Sequence, residues 1–431
     1  MSLWRALVAF VLLAVAMPAF ADVVATASSP GDVLKVEITT NGEGRIGYAV
    51  TRLGKPVIGE SHLGFLLADA PQLLRNFQVV DQATRTFDET WEQPWGEWRT
   101  VRNHYNELAI TFEEKTKLHR RMRIVFRLFD EGIGFRYELP RQPNLAHANI
   151  AEELTQFNVA RPGTAWWAPA FESNREEYLY NQTPIDGVAI AMTPFTMRFE
   201  DGTHLSIHEA ALVDYSGMNV TRVQGTNFKA ILTPGSMGPK VSRDTPFETP
   251  WRVILISPDA AHLYESNRLI LNLNEPNKLG DVSWVHPRKY VGIWWGMHLD
   301  TQSWASGPKH GATTAYAKRM IDFAATNGFT GLLVEGWNKG WDGDWFATGD
   351  DFSFTEPYPD FDIRAVAAYS LRKGVHLIGH HETSGNIAHY EQQLDAALDL
   401  DRQLGIDTVK TGYVSDAGGI QALGPDGRIQ R

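Results

Sequence analysis

Two imidazoles and a carboxylate, His380-His381-Glu382, follow directly on the apolar run Val375 to Ile378. A carboxylate at the tip of a strand, held ionised by imidazole or hydrogen-bonding neighbours, can serve as a general base. Three other apolar runs end in side chains fit for chemistry or recognition: Trp294-Trp295, Glu335-Gly336-Trp337 and Lys410-Thr411-Gly412-Tyr413. Lys410 would reach the same cleft and bond a substrate hydroxyl. Indoles offer flat platforms to sugar rings, though Trp packs as readily in cores and interfaces. The structural alternative for His380-His381-Glu382 is a polar cluster bridging strands. Zinc is a further possibility, since His and Glu ligate it, but adjacent strand residues point to opposite faces, so His380 and His381 do not easily share one ion. The loop after Glu335 carries Trp337, Trp341 and Trp345 with Asp342-Gly343-Asp344. Read as long and exposed, it is expected to turn its indoles toward ligand; its Asp-Gly-Asp lacks full calcium-loop spacing.

The elements that must position these groups alternate between β and α patterns. Tyr290 to Trp295, Gly331 to Val334, Val375 to Ile378 and Asp407 to Val414 read as strands. Thr313 to Asn327, Asp362 to Lys373 and Asn386 to Leu404 have helical spacing, the last two closed by Gly374 and Gly405. Such alternation predicts βαβ units and a parallel sheet, with catalytic groups at the C-terminal ends of the strands. Four units are legible, whereas a closed barrel needs eight strands and a bare parallel edge is a liability. The region 284–431 is therefore expected to be the first part of a (β/α)8 TIM-type barrel belonging to a longer chain.

Upstream, residues 22–283 read as β. Val33 to Thr39 and Ile46 to Arg52 alternate around an Asn41-Gly42 turn. Short runs follow at Leu108 to Phe112, Met122 to Phe129, Ile133 to Leu139, Phe195 to Phe199, His204 to His208, Phe228 to Leu232 and Trp251 to Ile256. A large antiparallel sandwich is expected, with one short helix near Asp259 to Glu265 and a linker at Asn274-Glu275-Pro276-Asn277. Two stretches in it are chemically dense. Trp91 to Glu107, rich in Trp, Tyr and Asn, fits a core or interface better than a sugar-facing cleft. Glu172, Glu176 and Glu177 form an acidic loop of the kind that is usually solvated and sometimes binds a hard cation.

The chain has 431 residues, 43% hydrophobic and 21% charged, with a net charge of -11 that argues against nucleic acid or an anionic membrane as partner. It has 14 Trp and no Cys, which removes disulfides, thiolate metal sites, a Cys nucleophile and a lipoprotein anchor. Arg5, the apolar Ala6 to Ala16 and Ala19-Phe20-Ala21 form a secretory signal peptide over residues 1–21. An exported, periplasmic protein is expected, with secretion as the alternative.

Tyr290-Val-Gly-Ile-Trp-Trp-Gly-Met-His, Gly307-Pro-Lys-His-Gly-Ala-Thr-Thr, Val334-Glu-Gly-Trp-Asn-Lys-Gly-Trp, Ile378-Gly-His-His-Glu-Thr and Val409-Lys-Thr-Gly-Tyr-Val resemble glycoside hydrolase family 97. That family contains α-glucosidases and α-galactosidases of bacterial polysaccharide utilisation. The resemblance implies an N-terminal β-supersandwich, a (β/α)8 catalytic barrel, a small C-terminal β domain and a bound Ca²⁺. Retaining members look like Lys-Val-Asp on the fourth strand, with the Asp as nucleophile; here that position is Gly412. Inverting members carry a base glutamate after paired histidines, which matches Glu382. The resemblance further implies His380 and Lys410 as substrate contacts and Glu177 as a carboxylate reaching the Ca²⁺. Trp294, Trp295, Glu335 and Trp337 complete the candidate substrate site. The general acid and most calcium ligands are expected on later strands.

The resulting expectation is a calcium-dependent, inverting, exo-acting α-glucosidase acting on oligosaccharide or other α-glycosides. The alternatives are a retaining α-galactosidase and a non-catalytic carbohydrate-binding protein. The 431-residue polypeptide alone is expected to be inactive; hydrolysis of an α-glucoside by purified Asp22–Arg431 would overturn that.

Overall fold

The computed structural model describes residues 21–171, 179–234, 238–345, 349–384 and 386–412, together with 422–423 and 429–430. The signal peptide expected over residues 1–21 falls almost entirely outside these. No helix among the described residues is long and apolar enough to cross a membrane.

The N-terminal part is antiparallel throughout. A four-stranded sheet runs through Asp22–Ser28, Leu34–Thr40, Ile46–Arg52 and Lys55–His62, and a ten-stranded sheet forms a second layer. Alternation sets the packing: in Leu34–Thr40 the apolar Leu34, Val36 and Ile38 are buried while Lys35 is exposed. Those side chains share one core with Ile124, Phe126, Phe135 and Tyr137 of the larger sheet, and the Tyr48 ring lies 5.0 Å from Phe135. This is the face-to-face packing of a sandwich. At its centre Arg252 is fully buried, bonded to both oxygens of Glu153 at 2.7 and 2.6 Å and to Glu209 at 2.8 Å.

Several elements escaped the sequence pattern, among them the strands Asp22–Ser28, Lys55–His62, His147–Glu153 and Met218–Gln224. The strand Phe77–Glu92 pairs along its length with Thr100–Glu114, yet most of its residues are exposed, so no buried face marks it. A second short helix, Arg268–Leu273, follows the expected one at Ala260–Glu265. The Trp-rich stretch packs on these helices: the Trp91 indole donates to Asn272 Oδ1 at 2.9 Å and the Trp98 indole to Asn267 Oδ1 at 2.8 Å.

The C-terminal part has four parallel strands in sequential order: β1 (Tyr290–Ile293), β2 (Gly331–Val334), β3 (His376–Glu382) and β4 (Val409–Gly412). Helices α1 (Thr314–Thr326), α2 (Ile363–Arg372) and α3 (Ile387–Leu404) lie between them. Each helix starts where a side chain satisfies a free N–H: Thr313 accepts from Tyr316, Asp362 from Ala365 and Asn386 from His389. Gly405 closes α3 at φ 71°, a left-handed conformation that glycine adopts without strain. Ile321, Val366 and Leu404 of the helices share a core with Ile293, Leu332 and Leu377 of the strands. A closed barrel is not seen among the described residues. β3 departs from expectation in one respect: it does not stop at Ile378 but runs on through Glu382, because β4 pairs with Gly379–Glu382.

Removing Glu153 would leave a buried guanidinium short of its main partner, so Glu153→Gln should destabilise the sandwich by about 3 kcal/mol or more. Urea unfolding would read this as a lower midpoint at unchanged slope.

Candidate active site

β3 and β4 bring the polar residues together by register. His380 pairs with Lys410 and Glu382 with Gly412, while β2, which pairs with β3 only as far as Ile378, delivers Glu335 from the other side. Glu335 is the meeting point. Its Oε1 accepts from Lys410 Nζ at 2.9 Å and stands 3.6 Å from His380 Nε2; its Oε2 accepts from the Trp304 indole at 3.0 Å. Burial pushes the Glu335 carboxyl up, but His380 in its protonated form and bonds from Lys410 and Trp304 outweigh it and hold the group below the usual carboxylate range. His380 is itself buried, and that burial pushes its ring down to about 4. The ring is therefore neutral at pH 7, and the negative charge on Glu335 rests on Lys410 and Trp304 rather than on an imidazolium.

The strand alternation separates the two histidines. His380 faces Glu335 and stacks on Trp341, with ring centroids 6.0 Å apart at 19°. His381 turns the other way, its Nδ1 2.9 Å from Tyr390 Oη and its Nε2 3.4 Å from Asp401 Oδ2, both on α3. They cannot share an ion. Among the described residues no three His, Asp or Glu side chains converge to hold a metal. Glu177 lies outside the described residues.

Glu382 is 5% exposed, and its Oε1 accepts the Ser384 N–H at 2.8 Å. Its carboxylate lies directly over Gly412: a Cβ built there would overlap Oε2 and stand 3.0 Å from Cδ. The end of β3 is fastened across the same gap, as the Thr383 N–H and hydroxyl donate to the Gly412 carbonyl at 3.0 and 2.8 Å.

The tryptophans divide by role. Trp295 is 58% exposed and meets the partly buried Trp294 edge-on at 5.3 Å; Lys410 Nζ lies 5.7 Å from the Trp294 ring. Trp337, expected to face a sugar, is instead 4% exposed, and its indole donates to the His380 carbonyl at 3.0 Å. β2 no longer pairs with β3 at that point, so an indole N–H takes up the carbonyl. Trp341, expected to be exposed, is 3% exposed because it is clasped between His380, Trp304 and Phe352. Trp304 carried no signal in the sequence; it sits in a Gly- and Ser-rich loop, and only folding sets it beside Glu335.

Two carboxylates, a lysine and indoles at the C-terminal ends of parallel strands, preceded by a β-sandwich, are the equipment of a glycoside hydrolase. The chain belongs to glycoside hydrolase family 97: residues 27–276 match the Glycosyl-hydrolase 97 N-terminal model and residues 294–426 the Glycoside hydrolase 97 model. A family 97 enzyme from Pseudoalteromonas sp. strain K8, solved with acarbose and with panose, is 48% identical. Its TM-score is 0.90 over 94% of this chain and 61% of that one. The retaining alpha-galactosidase of Bacteroides thetaiotaomicron is 22% identical over 389 residues, 82% of this chain and 55% of that protein. A probable retaining alpha-galactosidase of Streptomyces bingchenggensis is 25% identical over 355 residues, 81% of this chain and 50% of that protein. The chain thus spans about half the length of these curated relatives.

Two outcomes are expected. Gly412→Ala should drive the Glu382 carboxylate out of place, seen in a crystal structure as a changed Glu382 rotamer and a lost Ser384 contact. Between the ordinary imidazole value of 6.5 and about 4, the unfolded chain takes up a proton that buried His380 refuses. Stability should therefore fall as pH drops through this window, by about 3 kcal/mol from this residue. Denaturation midpoints at pH 7 and pH 4 should differ less in His380→Asn.

Proposed function

We propose that this chain carries the base side of an inverting, exo-acting α-glucosidase active site. Glu382 is the general base, Lys410, His380 and Glu335 contact substrate hydroxyls, and Trp294 and Trp295 form the sugar platform. The observation that carries this reading is the Glu382 carboxylate lying over Gly412. A carboxylate at 412, as a double displacement would need, competes for the space that Glu382 fills. The two mechanisms are thus mutually exclusive at one pair of positions. Inversion instead asks Glu382 to take a proton from water on one face of the sugar while an acid, about 6.5–9.5 Å away, protonates the leaving oxygen on the other.

The choice of glucosides is supported by the 48% identical Pseudoalteromonas enzyme, which was solved with panose and acarbose. The curated relatives are named retaining alpha-galactosidases, so retention on galactosides is the second reading; the absence of a side chain at Gly412 speaks against it. Closure of the four strands into a (β/α)8 barrel, domain limits near residues 22–283 and 284–431, calcium binding through Glu177 and a periplasmic location complete the proposal.

In the full-length enzyme, Glu382→Gln should lower kcat by about 10²–10⁴-fold with little change in KM, and unchanged kcat would make Glu382 a bystander. Proton NMR of the first-formed sugar should show the β-anomer from an α-glucoside. An α-anomer would establish retention.

A further inference from the structure

His310 lies in the Gly307-Pro-Lys-His segment between β1 and α1, and the mechanism above makes no use of it. It is buried, its side chain 1% exposed. Its Nδ1 stands 2.8 Å from Asp360 Oδ2 and its Nε2 stands 2.9 Å from the Gly336 carbonyl oxygen. A carbonyl and a carboxylate only accept hydrogen bonds, whereas a neutral imidazole has one N–H to give. Both contacts can be hydrogen bonds only when both ring nitrogens carry hydrogen. We infer that His310 is held as a buried imidazolium and acts as a positioning residue for Glu335, clamping the carbonyl of the next residue in the chain.

The titratable groups facing the ring are Asp360, Asp342 and Tyr358. Burial pushes the Asp342 carboxyl up, but bonds from Ser306 and Tyr358 and the nearby His310 outweigh it and hold it low. The Tyr358 ring meets His310 edge-on at 5.2 Å, and its hydroxyl, pushed up to about 12 mainly by burial, stays neutral. The adjacent Lys309 turns its ammonium away, to the Asp300 carbonyl. Asp360 is fixed by its backbone, whose carbonyl accepts from both the N–H and the hydroxyl of Thr314 at 3.0 Å.

What the clamp holds is the turn Glu335-Gly336-Trp337. Gly336 has φ 79° and lies against the Trp304 backbone, where a Cβ would come within 3.0 Å of the carbonyl oxygen. On one side of it is Glu335, bonded to Lys410 and to the Trp304 indole; on the other is Trp337, whose indole holds the His380 carbonyl. The clamp is complete while His310 carries both hydrogens. It opens as pH rises through deprotonation of the ring, when one of the two bonds must be lost. Its use in catalysis rests on the reading of Glu335 as a substrate contact.

The test is NMR of this chain labelled with ¹⁵N at histidine and tryptophan, His310 being assigned by its loss in His310→Gln. At pH 8, where free imidazole is neutral, both nitrogens of His310 should carry hydrogen. In Asp360→Asn the ring should give up a proton at lower pH, and the Trp304 indole N–H signal should shift in step. A single-hydrogen tautomer at pH 8, or a titration unmoved by Asp360→Asn, overturns the imidazolium. A Trp304 signal indifferent to that titration overturns the positioning role. Calorimetric panose binding should weaken on the order of tenfold in Asp360→Asn at pH 8, the worth of one charge-assisted hydrogen bond, and recover at pH 6. A native chain that binds no panose at either pH speaks against the glucoside reading, and the indole signals still decide the clamp.

Discussion

The site depends on one backbone ladder, the pairing of Gly379–Glu382 with Val409–Gly412. Before that stretch, β3 pairs with β2 alone. Beyond Ile378 it loses β2, and the polar half of the strand keeps its course only because β4 has arrived to pair with it. The register of that pairing decides which side chains meet. It sets Lys410 beside His380 and removes any side chain opposite Glu382. A slip of one residue would turn both sets to the wrong faces, putting Thr411 where Lys410 now meets Glu335.

On the side that β2 has left, side chains take over from the backbone. Trp337 supplies an N–H to the His380 carbonyl, and Glu335 is held between Lys410 and the Trp304 indole. The electrostatics follow from the same arrangement. A buried carboxylate persists as an anion only with donors in place. Here the donors are a lysine and an indole, while the nearest imidazole stays neutral through its own burial. The ion pair at the mouth of the site is therefore Lys410 with Glu335, and His380 is free to act as a neutral hydrogen-bonding group.

Gly412 makes room for the Glu382 carboxylate. Position 412 and the carboxylate of Glu382 contend for one volume, and the absent side chain is what lets the glutamate lie where it does. A single position on β4 thus decides where that carboxylate can lie. The family assignment, by contrast, spreads over both halves of the chain.

Much of this was legible in the sequence, because local physics writes it there. Alternation marked Ile46–Arg52 and Phe195–Phe199 to the residue, and the caps Thr313, Asp362, Asn386 and Gly405 bounded the three helices. The opposed faces of His380 and His381 followed from strand geometry alone. What the sequence did not hold were properties set by distant neighbours. The exposed strand Phe77–Glu92 exists only through its partner, and β3 reaches Glu382 only through β4. Trp337 and Trp341 look like sugar platforms until packing buries them. Trp304 and His310 come to Glu335 and Gly336 from residues 31 and 26 positions away. Residue types and periodicity determined which groups could do chemistry. Tertiary structure alone decided which of them face one another, because hydrogen bonds and burial depend on distance in space and not along the chain.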